Sequence, residues 1–71
     1  MNTPSEWCGR PPGECNLCHK PIGDTFIDGA TVFGPWACMC QSCFLNYGMA
    51  LGTGVGQKYL KVNGKFIKTA G

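Results

Sequence analysis

Six cysteines stand in a chain of 71 residues, and four of them form two pairs with the same spacing. Cys15 and Cys18 bracket two residues, and so do Cys40 and Cys43. That spacing lets both sulfurs of a pair reach one ion from a single tight turn. Two such pairs fill the tetrahedral shell of a structural zinc ion. Residues 19–39 separate the pairs, enough chain for one hairpin that returns to the same ion. Zn2+ on Cys15, Cys18, Cys40 and Cys43 is therefore the expected cofactor.

Disulfides are the competing use of these thiols, and the compartment decides between the two. The opening Met1-Asn2-Thr3-Pro4-Ser5-Glu6-Trp7 has neither a basic nor an apolar leader region, so it does not read as a signal peptide. No apolar run of about 18 residues exists to span a membrane. The expectation is a cytoplasmic chain, where thiols stay reduced and such spacing favours metal. Cys38 could replace Cys40 as a ligand, but one intervening residue strains the chelate loop. Cys38 would share a strand face with Cys40, lining the site or packing as a small hydrophobe. Cys8 reads as a thiol outside the site or a substitute ligand. His19, next to Cys18, reads as a hydrogen-bonding neighbour of the site.

Catalysis has little to work with. Four protein ligands leave zinc no open position. There are no paired carboxylates, and Cys8 or Cys38 with His19 lacks a third orienting group. The chain is expected not to be an enzyme.

A small domain needs the metal. Chains of this length rarely bury enough apolar surface to fold on a core alone. Residues 1–12, with Pro4, Gly9, Pro11 and Pro12, read as an irregular arm that Trp7 anchors. Residues 13–71 read as one zinc-finger domain. The first pair reads as a knuckle. Thr25-Phe26-Ile27 and Ala30–Phe33 read as strands around an Asp28-Gly29 turn, with Trp36–Met39 resuming after a bulge. Phe44, Tyr47 and Leu51 share a helical face, with Ser42 as N-cap and Gly48 and Gly52 limiting the length. The expected fold class is a small metal-stabilised α+β domain: knuckle, β-hairpin, short helix, then a C-terminal β-hairpin.

That last hairpin is marked by Asn63-Gly64, a type I′ turn signature. It pairs Val62 with Lys65, Lys61 with Phe66, Leu60 with Ile67 and Tyr59 with Lys68. Leu60, Val62 and Ile67 are expected to face inward with Lys65. Tyr59, Phe66, Lys61 and Lys68 then face solvent, where rings interleaved with lysines suit single-stranded nucleic acid. Lys58 extends that surface. The bland alternative is an ordinary solvated face with cation–π contacts. Gly52-Thr53-Gly54-Val55-Gly56 follows a helix and precedes a strand, the reverse of a phosphate loop. It reads as a flexible connector, or as glycines that let a partner's backbone or phosphate approach closely beside Lys58, and no nucleotide substrate is expected.

Charge is divided along the chain. Glu6, Glu14, Asp24 and Asp28 all precede residue 29, and Lys58, Lys61, Lys65 and Lys68 lie in the last 14 positions. A tetrathiolate zinc site adds −2 to the formal +2, so the loaded protein is near neutral. Net charge alone makes no case for nucleic acid.

Knuckle, hairpin and helix over residues 13–51 resemble the treble-clef zinc finger, which implies structural zinc and no particular function. The run Trp36-Ala37-Cys38-Met39-Cys40-Gln41-Ser42-Cys43, then Tyr47-Gly48 and Leu51-Gly52-Thr53-Gly54-Val55-Gly56-Gln57-Lys58-Tyr59, is similar to small phage and bacterial zinc-finger proteins. The resemblance spans about a third of the chain. It implies zinc at Cys40 and Cys43 and an accessory or regulatory role in a bacterial cytoplasm, the host's if phage-encoded. The functional expectation is a small nucleic-acid-binding accessory protein. The alternative is an adaptor or inhibitor that binds a protein of the host machinery.

Overall fold

The computed structural model describes residues 6, 7 and 9–71. Strand β1 (Thr25–Ala30) is followed by β2 (Trp36–Met39), helix α1 (Gln41–Tyr47), β3 (Gly56–Val62) and β4 (Lys65–Ala70). The strands form one antiparallel sheet in the order β2-β1-β3-β4.

The first hairpin turns later than the sequence suggests. Asp28 and Gly29 lie inside β1, opposite Cys38 and Ala37 on one side and Gln57 and Gly56 on the other. Gly29 is required by proximity, because a Cβ there would sit 2.8 Å from the Gly56 Cα. The turn is made by residues 31–35. The Thr31 hydroxyl donates to the Pro35 carbonyl at 2.8 Å and accepts the Phe33 N–H at 3.2 Å. The second hairpin has the expected turn and register. Asn63 and Gly64 both take positive φ, 52° and 81°, and Tyr59 pairs with Lys68, Leu60 with Ile67, Lys61 with Phe66 and Val62 with Lys65.

Its faces are inverted relative to expectation. Tyr59 and Phe66 are only 9% and 6% exposed, whereas Leu60 and Val62 are 40% and 45% exposed. The aromatic face wins because Phe26 and Trp7 meet it. The Phe26 and Tyr59 rings stack 5.0 Å apart, and Phe66 meets Phe26 edge-on at 4.9 Å. Trp7 stands edge-on to both Phe26 and Tyr59. Four rings cover more apolar area than three aliphatic chains, and edge and offset contacts add to it. The Trp7 backbone N–H also donates to the Phe66 carbonyl at 2.9 Å, and Glu6 bridges Ile67. Glu6 and Trp7 thus lie along the outer edge of β4.

A second core lies on the other face of the sheet, at its opposite end. Ile27, Ala37 and Met39 pack there with Cys15 and Cys43. Helix α1 closes this core, contacting β1 and β2. Cys40, rather than Ser42, occupies the N-cap position. The helix ends at Tyr47 with Gly48 as its C-cap, so Leu51 lies beyond it. Each face of the sheet is therefore covered over a different half.

Candidate metal centre

Each cysteine pair is presented by a different local structure. The first sits on a knuckle closed by backbone hydrogen bonds. The Cys15 N–H donates to the Lys20 carbonyl and the His19 N–H to the Cys15 carbonyl, both at 2.9 Å. His19 takes a φ of 64° to make the reversal. The second pair sits at the start of α1. Cys40 is extended, with φ −72° and ψ 166°, and Cys43 follows within the first turn, pointing into the core under Ile27 and Met39.

The sulfurs of Cys15, Cys18, Cys40 and Cys43 all lie within 4.8 Å of one another. The Cys18 and Cys40 sulfurs are 3.8 Å apart. A tetrahedron with metal–sulfur bonds of about 2.3 Å has edges of about 3.8 Å. The four side chains can therefore hold one metal ion with little movement.

Electrostatics favour thiolate at this point. Burial pushes the Cys15 thiol up, but hydrogen bonds from the Cys18, Cys40 and Leu17 N–H groups and from the Cys18 thiol outweigh it. The result is about 6. Cys43 is pushed up to about 12 by burial and by hydrogen bonding and charge from its sulfur neighbours. One sulfur ionises readily and then opposes the next. A dication reverses that opposition, because all four negative charges then face a positive centre.

Asn16 locks the knuckle to the sheet. Its N–H donates to the Cys38 carbonyl at 2.9 Å, and its side-chain oxygen accepts the Cys38 N–H at 2.8 Å. One residue thus imitates a paired strand and covers the outer edge of β2. Nothing in the sequence marks this role beyond an Asn inside a knuckle. Asn16→Ala is expected to lower stability by about 1 kcal/mol, measurable by urea unfolding of the metal-loaded protein.

Cys38 is not part of the sulfur cluster. It packs against the aromatic core, because the chain leaves the strand at Cys40 and the two do not share a face. Burial, with Asp28 and Cys15 adding, pushes its thiol up to about 11. The His19 ring meets the Glu14 carboxylate at 2.7 Å, away from the cluster. Cys8 lies outside the described residues.

Of the hairpin residues, Lys58 belongs to the open face with Leu60, while Lys61 and Lys68 lie on the aromatic face. Lys61 sits 5.7 Å above the Phe66 ring. Tyr59 and Phe66 are inside, so their rings are not available for stacking on bases. The glycine loop is tied rather than loose. Gly52 and Gly56 exchange hydrogen bonds of 2.8 and 3.0 Å, and Val55 donates to Gly52. These N–H groups already have acceptors within the loop, which removes them from phosphate binding.

Among the described residues, no helix is long and apolar enough to cross a membrane. The chain is a small α+β protein with a four-cysteine cluster able to hold a metal ion, and no protein-family model, curated protein or solved structure matches it.

Proposed function

We propose that this chain is a non-enzymatic, zinc-stabilised binding module of treble-clef type that docks an acidic, aliphatic segment of a protein partner. Zinc is favoured over iron because the second cysteine pair opens a helix. Rubredoxin-like iron sites place both pairs on knuckles. Four sulfur ligands close the shell, which suits a structural ion and leaves no position for substrate.

The docking reading rests on one observation, the uncovered half of the sheet. Helix α1 covers β1 and β2 and leaves Leu60 and Val62 open on β3, with half-buried Ile67 beside them on β4. Lys58 and Lys65 share that face, and Glu6 borders it beside Ile67. Residues 58–71 carry four lysines and no acid. Aliphatic contact gives affinity and lysines select an acidic partner. Nucleic acid is disfavoured because base recognition here would need exposed rings. An adaptor or inhibitor in a bacterial cytoplasm, phage-encoded or not, is the role this reading supports.

The test uses the zinc-loaded full chain, labelled for NMR. Two probes are titrated: a synthetic peptide alternating glutamate with leucine, and oligothymidylate. The peptide is expected to shift the Leu60, Val62 and Ile67 signals, and Lys58→Glu with Lys65→Glu to abolish the shifts. Binding of oligothymidylate alone, with affinity falling steeply in salt, would select nucleic acid instead. No shift with either probe rejects the docking face.

A further inference from the structure

We infer that this chain self-associates through a second surface, built by the β1–β2 turn and the end of α1. The inference is independent of the hairpin reading, because different residues carry it.

The surface is held together by the backbone. The Val32 N–H donates to the Tyr47 carbonyl at 2.8 Å, Thr31 bridges Gly48, and the Met49 N–H donates to the Ala30 carbonyl at 3.2 Å. These bonds bring Val32, Phe33, Tyr47 and Met49 into one patch. The Phe33 and Tyr47 rings lie 5.3 Å apart. Yet Phe33 is 64% and Met49 58% exposed, and Val32 is exposed to a similar degree. Leu51 adjoins them, also exposed. Large apolar side chains clustered in solvent mark an interaction site.

Charge identifies the occupant. Residues 29–57 contain no Asp, Glu, Lys, Arg or His. In a two-fold interface the same patch meets itself, so a patch whose charges share one sign is repelled by its copy. A patch without charge escapes that penalty. The lysine-bordered strip on β3 and β4 does not, since Lys58 and Lys65 would meet their equals. The metal centre adds negative charge only at the far end of α1. That end lies about 10 Å away along seven residues, beyond a physiological screening length of about 8 Å.

Area sets the strength. The exposed parts of these five side chains sum to roughly 500 Å2, given full side-chain areas of about 150–250 Å2. Two copies then bury about 1,000 Å2, the lower bound of specific interfaces. The dimer is accordingly weak, with a midpoint on the order of 10 μM.

Sedimentation of the zinc-loaded full chain from about 1 μM to about 1 mM tests this. The weight-average mass is expected to rise twofold across the range and to change little with salt. Phe33→Asp should keep the protein monomeric throughout, with metal content and circular dichroism unchanged. Mixing Phe33→Asp with Phe33→Lys should restore association. A wild-type chain that stays monomeric at the top concentration overturns the inference, as does a Phe33→Asp variant that dimerises like wild type. Capture of only a foreign protein on this patch also overturns it. None of these results bears on peptide binding by the hairpin, so the two readings fail separately.

Discussion

Cys40→Ser is expected to lose the metal and the cooperative unfolding transition together. Metal content by native mass spectrometry and thermal melts by circular dichroism read the two losses. The size of the effect follows from what Cys40 does. Its sulfur is 3.8 Å from that of Cys18, and its backbone begins α1 with no side-chain cap hydrogen bond. A seven-residue helix is too short to persist unaided. Structural zinc contributes apparent binding free energies of about 10–16 kcal/mol, against total stabilities of about 5–15 kcal/mol for small domains. Loss of the ion therefore removes a contribution as large as the whole. Acid should act in the same direction. Ligand thiols must lose their protons to bind, so affinity falls as pH falls. Chelator or low pH should reproduce the variant, and a Cys40→Ser protein that melts at the wild-type temperature would refute the structural role.

Tyr59→Ala is expected to destabilise the loaded protein by about 3–5 kcal/mol, the range for large aromatic truncations in cores. Leu60→Ala, one residue along the same strand, should cost less than about 1 kcal/mol. The contrast comes from burial. Tyr59 stacks on Phe26 and meets Trp7, while Leu60 lies on the uncovered face. Urea unfolding of both variants, loaded with metal, measures the difference. Equal costs, or a larger cost at Leu60, would mean that the hairpin presents its aliphatic face to the interior.

These two sites show where the sequence is and is not legible. The sulfur cluster is readable because the requirement is local: two residues between ligands suffice to bring a pair onto one ion. Asn63-Gly64 is readable for the same reason, since its turn needs two positive φ values. The pairing of β3 with β4 then follows from the turn. Pairing shows which residues share a face but not which face is covered. That choice depends on Phe26, more than 30 positions away, and on Trp7 in the arm. Asp28-Gly29 misleads in a similar way. It has the composition of a turn, yet Gly29 answers to the close passage of Gly56. Ser42 is a good N-cap by type, but Cys40, whose sulfur meets that of Cys18, holds that position. In each case a distant contact overrides a local preference.

The alternation of β1 has a further consequence. Phe26 and Ile27 are adjacent, both fully enclosed, and they point to opposite sides of the strand. One belongs to the ring stack and the other to the packing beneath the sulfur cluster. This dipeptide, together with half-buried Ile22, which packs against both clusters, joins the two sources of stability. Its amide protons should exchange with solvent only through global opening, and a lesion at either residue should be felt at both ends of the molecule.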